Sequence, residues 1–205
     1  MPIQYVQASA ATAALAAIAA SQALGAAGPL VLAAGAASLG SFQQPVIITS
    51  AGNDSGITFK ITGTDYGGSP VSEVLAGANV GAATSVFMYS SVSSIVASGA
   101  VATTVEVGTG ATQYSPWLIL GSKANAYSTN LRGVILGASA TYVVQATSDP
   151  NIMRQVGGYA DDIDTLVASG TVATTTLLDA PWSAVRLQVA AGGPVALRAM
   201  ESRTA

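Results

Sequence analysis

The chain has 205 residues, of which 50% are hydrophobic and only 8% charged, with a formal net charge of −3. An average soluble domain is roughly 25% charged, so this surface is poorly equipped to stay solvated alone and is expected to face other protein. With no cysteine and no histidine, disulfides, thiolate nucleophiles, Cys-based metal sites, Ser-His-Asp triads and HExxH zinc schemes are all excluded.

Nothing from Met1 to Asn53 carries a side-chain charge; Asp54 is the first. Three readings of this tract compete. A secretory signal needs a basic n-region, yet the first basic residue is Lys60. A membrane-spanning helix needs a strongly apolar run, which Ser21, Gln22, Gly25, Gly28 and Pro29 dilute. The third reading, a soluble arm over residues 1–44 that buries small side chains in an assembly, fits the composition best. Alanine content predicts a short helix over Thr12 to Ala20, and Gly28-Pro29 is a break before a strand starting at Pro29-Leu30-Val31-Leu32.

From residue 45 the hydrophobic period becomes two. Val46, Ile48 and Ser50 alternate with Ile47 and Thr49; after a turn over Ala51 to Gly56, Ile57, Phe59 and Ile61 share one face and Thr58, Lys60 and Thr62 the other. Asp65-Tyr66-Gly67-Gly68 is turn chemistry, with Val71 to Leu75 returning as a hairpin partner. Val86 and Met88, Val92 to Val96, and Val101 to Val107 give further strands. Residues 121–205 repeat the grammar, with strands over Ala140 to Thr147, Val185 to Val189 and Val195 to Met200, the last after a Gly192-Gly193-Pro194 turn. The expected fold is all-β: two tandem antiparallel β-sandwich or jelly-roll-like domains, 45–120 and 121–205, joined across Tyr114 to Ser128 and preceded by the arm. Val96 to Thr104 recurs as Val167 to Thr175, each copy followed by Pro-Trp (Pro116-Trp117, Pro181-Trp182). Chance similarity in an Ala/Thr-rich chain competes with a true domain repeat, in which each Trp would anchor one core.

Chemical sites are sparse. Asp161, Asp162 and Asp164 could offer carboxylates to calcium, but without the spacing of a calcium loop they read as a solvated loop. Gly67-Gly68 and Gly108-Thr109-Gly110 lack the Lys-Ser/Thr of a phosphate cradle and read as turns. Lys60 and Lys123 fit no S-x-x-K pattern. No catalytic, cofactor-binding or metal-binding residue is assigned, and the chain is expected not to be an enzyme. Trp117, Trp182, Tyr66, Tyr89, Tyr127 and Tyr159 are the aromatics a carbohydrate-binding face would use, with core or interface burial as the plainer fate of both tryptophans. Seven dispersed basic residues give no footprint for nucleic acid.

Ile48 to Asp65, followed by Pro70 to Gly77 and Ser94 to Gly110, resembles a pattern in small structural proteins of tailed bacteriophages. Ala140 to Gln145 with Asp149-Pro150, Pro181 to Leu187 and the closing Gly-Pro-Val strand continue it, so the likeness covers roughly residues 20 to 200. It implies a non-enzymatic virion component assembled in the host cytoplasm. First choice is a tail- or neck-associated fibre or adaptor that docks through its uncharged N-terminal segment. A capsid decoration or cement protein is the alternative, and a carbohydrate-binding host-attachment module a more remote one. The implied partners are portal, adaptor, tail or capsid subunits and further copies of the chain, with no nucleic acid, membrane or cofactor.

Overall fold

The computed structural model describes residues 3–8, 14–33, 39, 43–120, 127–135, 140–148, 164–170, 174–178 and 182–203. The fold is all-β and made of several antiparallel sheets. By contacts the chain divides into two units, one formed by Met1–Ala11 with Thr112–Ala205, the other by Thr12–Ala111.

The Thr12–Ala111 unit contains β2 (Ala14–Gln22), β3 (Gly28–Pro29), β4 (Gln44–Asn53), β5 (Thr58–Thr64), β6 (Pro70–Ala76), β7 (Asn79–Tyr89), β8 (Ser91–Ala97) and β9 (Val105–Thr109). They form two sheets, ordered β2-β9-β4-β7 and β3-β8-β5-β6. The period-two pattern works as physical chemistry requires: Val46 and Ile48 from one sheet, and Phe59, Ile61, Val92 and Ile95 from the other, share one buried cluster, while Lys60 points to solvent. The expected β5–β6 hairpin forms in register from Thr58↔Ala76 to Thr64↔Pro70, closed by a turn in which Gly68 takes a positive φ of 77°.

The other unit contains β1 (Ile3–Ala8), β10 (Gln113–Tyr114), β11 (Leu118–Ile119), β12 (Tyr127–Ile135), β13 (Ala140–Thr147), β14 (Asp164–Gly170), β15 (Thr174–Leu178), β16 (Ala184–Gly192) and β17 (Val195–Arg203). One sheet runs β1-β17-β12-β15; the other runs β10-β16-β13-β14, with β11 also paired to β16. Tyr142, Val144 and Ala146 of β13 lie opposite Val189, Leu187 and Val185 of β16, and all six are buried.

Several expectations are corrected. Residues 14–22 are a strand, not a helix: alanine's helix preference is a weak prior, and here Ile18 and Ala19 enter the core while β9 supplies partners for the backbone. The units are nested along the chain rather than consecutive, because β1 pairs with β17 across nearly the whole sequence. The boundary falls at 111/112, before the Tyr114 to Ser128 junction, since Gln113 and Tyr114 already pair with β16. The strand expected from Val101 begins only at Val105, because the Val101 N–H goes to Leu24 O, the Ala102 N–H to Asp54 Oδ1, and Thr104 O accepts from Ala51. Past Pro29, Val31 is not in the sheet: its N–H and carbonyl are taken by the Gln22 side chain. Gly108 and Thr109 are strand, not turn. Both tryptophans belong to the same unit.

Candidate assembly surface

The exposed large apolar side chains mark where this protein could meet another. Leu15 lies on β2, Val74 on β6, Val80 and Val86 on β7, and Ile119 on β11, all strands at sheet edges; Val31 follows edge strand β3, and Tyr66 tops the β5–β6 turn. Val96, on interior strand β8, is the exception. Edges present unpaired backbone groups as well as side chains, so apolar edges are the usual route to strand addition or lateral packing.

One stretch of edge is closed off. Pro45 of β4 pairs with Met88 and Ile47 with Thr84, so Ser85, Val86 and Phe87 of β7 bulge opposite Val46 alone. Ser85 Oγ accepts from the Val46 N–H (2.8 Å) and donates to Phe87 O (2.7 Å). Glu73, opposite buried Ile61 on β6 and therefore turned inward, accepts the Val86 N–H (3.1 Å), the Phe87 N–H (3.4 Å) and the Tyr89 hydroxyl (3.3 Å). An inward carboxylate and a bulge together leave no free ladder at residues 85–87 for an incoming strand. Burial pushes the Glu73 carboxyl above its ordinary range against the pull of those hydrogen bonds. Burial, then the Glu73 charge, raises the Tyr89 hydroxyl.

The second polar cluster lies in the nested unit's partner. Arg186 of β16 is 0% exposed on the face opposite Val185 and Leu187. Its guanidinium carbon sits 4.7 Å from the centre of the Tyr114 ring and 4.5 Å from that of Trp117, and its Nε donates to Gln145 Oε1 at 2.8 Å. The detour between β10 and β11 brings Trp117 there: Ser115 N–H donates to Leu187 O, and Leu187 N–H donates back to Ser115 Oγ. Burial pushes Arg186 down to about 10, with the Tyr114 charge opposing. Trp117 Nε1 is buried without a partner. This is a buried cation–π stack. Sequence reasoning missed it because nothing local marks Arg186 apart from solvated arginines.

Asp54 is 2% exposed; its Oδ1 accepts the Ala102 N–H, and its Oδ2 is buried without a partner. Among the described residues, no group of three His, Cys, Asp or Glu side chains is placed to hold a metal ion. Asp164 opens β14, whereas Asp161 and Asp162 lie outside the described residues. Lys123 and Tyr159 also lie outside them. Tyr127 begins β12, with its side chain outside the description. Of the remaining aromatics, Tyr89 is buried, Trp117 and Trp182 are half-buried, and Tyr66 is exposed. No platform of exposed rings is assembled among the described residues. No helix among them is long and apolar enough to cross a membrane. Comparison with protein-family models, curated proteins and solved structures finds no match to this chain.

Proposed function

We propose that this chain is a non-enzymatic structural component of a tailed-phage virion, a tail- or neck-associated fibre or adaptor subunit that works as an oligomer. The observation that carries the reading is the gathering of exposed apolar side chains on edge strands in a chain with only 8% charged residues. Such edges are tolerated where neighbouring subunits cover them. Its partners are portal, adaptor, tail or capsid subunits and further copies of itself, in a virion assembled in the host cytoplasm. The uncharged segment before Asp54 is folded into β1 to β4, so docking falls to the exposed apolar edges rather than to a free arm.

We also read each unit as a jelly-roll sandwich. Counting strands along each unit, and taking β10 and β11 as one position on β16, both units show the orders 1-8-3-6 and 2-7-4-5. That is the double Greek-key order of a jelly roll. The test is quantitative mass spectrometry of purified particles with this chain as target. Presence at tens of copies or fewer supports the tail or neck position. Hundreds of copies would move it to the capsid surface as a decoration protein, and absence from particles would overturn the reading. A glycan array with the purified protein addresses the host-attachment alternative.

A further inference from the structure

We propose that β1 is an exchangeable strand: in the assembled state, β1 of one copy completes the β17 edge of a neighbouring copy. The inference rests on the assembly reading above and adds its mechanism.

Three observations lead to it. β1 occupies the end of its sheet and pairs with β17 alone, from Ile3↔Met200 to Ala8↔Val195. The rest of its unit is the continuous segment Thr112–Ala205, so β1 reaches that unit across the whole of the inserted one. Without β1 the unit is incomplete. Val195, Ala196 and Leu197 are fully buried, as is Ala8, and β1 also packs against β16 and β11 of the opposite sheet. A vacated β17 would therefore expose apolar side chains together with a row of unpaired amides, a template that only a strand of matching pattern fills well.

The chain itself supplies that strand. A neighbour's β1 offers the same six residues in the same register, so the contacts made within a chain and between chains are equivalent. β1 carries no charge that would favour either arrangement. What decides is effective concentration: the tethered strand wins in dilute solution, and a neighbour's strand competes when copies are held side by side. Assembly therefore converts an internal contact into a linkage between subunits. The bulge and inward Glu73 close β7 at residues 85–87 to an incoming strand, whereas β17 has a strand of matching register in β1.

The chain contains no cysteine, so introduced thiols report cleanly. Full-length Gln7→Cys and full-length Ala196→Cys proteins are mixed, unfolded, refolded together at high concentration and oxidised. Ala8→Cys with Val195→Cys is run in parallel, because consecutive antiparallel pairs alternate between the two pair geometries and one of them suits a disulfide. In these mixtures a disulfide between positions 7 and 196, or 8 and 195, can form only between chains. Exchange predicts such a heterodimer, mapped by peptide mass spectrometry, in the oligomeric fraction. It also predicts that the double variant Gln7→Cys/Ala196→Cys shifts from intrachain closure to interchain ladders as concentration rises. Oligomers in which the double variant closes only within chains overturn the exchange and leave the assembly reading standing. A protein monomeric at every concentration overturns exchange and self-assembly together.

Discussion

At the scale of single residues, Arg186 and Glu73 are costly choices, because burial opposes the charge of each. Arg186 is charged at neutral pH in the folded and unfolded states alike. Its folded value is pushed down to about 10, so the burial cost is present at every pH below about 10 and is relieved only as pH rises above it. Two aromatic faces and Gln145 Oε1 offset that cost. Removing one member strands another. Arg186→Met should lower unfolding free energy by about 1–3 kcal/mol, because Gln145 loses its donor. Adding Gln145→Leu should recover most of that loss, since an apolar pair of similar volume often replaces a buried charge without penalty; denaturant unfolding of the four proteins reads the cycle, and a double variant no better than Arg186→Met counts against this account. Glu73 has the opposite pH signature. Its folded value lies above the ordinary 4.5, so the fold holds this proton more tightly than the unfolded chain does. Its contribution is therefore best below 4.5 and declines as pH rises through the folded value. Glu73→Gln keeps an acceptor for the Val86 and Phe87 amides and a donor toward Tyr89. Its stability relative to wild type should rise between about pH 4 and pH 7, as followed by thermal unfolding; a pH-independent difference would show that Glu73 does not titrate in the fold.

At the scale of elements, alternation made most strands legible: β4, β5, β6, β13 and β16 stand where Val, Ile and Thr alternate. β2 was not legible, because an alanine run has no apolar period and its strand state depends on a partner far along the chain. The β2–β9 pair is irregular, running Ala14↔Thr109, Ala19↔Val107 and Gln22↔Val105, so β2 bulges over β9. A Cβ on Gly108 would overlap the Ala14 carbonyl oxygen and the Leu15 backbone. Gly108→Ala should accordingly cost about 1–3 kcal/mol in unfolding free energy, whereas a neutral effect would mean that β2 shifts freely. Val80 is the reverse case: a β-branched, exposed residue at φ 48° opening β7. Val80→Asn should stabilise by about 0.5–1 kcal/mol in the same assay, since asparagine tolerates that conformation. The recurrent Val-Ala-Ser-Gly segment pointed the wrong way about organisation. Its first copy runs from the end of β8 toward β9, its second from β14 into β15, which are different connections in the two strand orders. The similarity in sequence therefore does not trace the similarity in topology, and Trp117 and Trp182 fall in one unit for the same reason. Arg186 escaped notice because its burial depends on Trp117 being folded over it by Ser115, a contact between β10–β11 and β16 that no local spacing announces.

At the scale of the whole molecule, nesting makes the two units unequal. The inserted unit opens and closes on adjacent strands, Ala14 lying opposite Thr109, which is the arrangement that lets one folding unit interrupt another. Its core cluster draws only on residues between Ile18 and Val107. The other unit needs β1 from beyond that insertion, so its completion depends on the longest-range pairing among the described residues, between residues 3 and 200. Forming it early closes a large loop, whereas folding the insertion first brings the ends of that loop together and lowers the entropic cost. A fragment of residues 12–111 should therefore fold alone and unfold in a single cooperative transition by circular dichroism. A fragment of residues 112–205 should not, because β17 lacks its outer neighbour and the Val195–Leu197 side chains lose their cover. Adding a peptide of residues 1–11 should restore β structure to that second fragment, while a scrambled peptide should not. Cooperative folding of residues 112–205 without the peptide would show that β1 is dispensable, and would remove the reason this fold carries an interrupted unit at all.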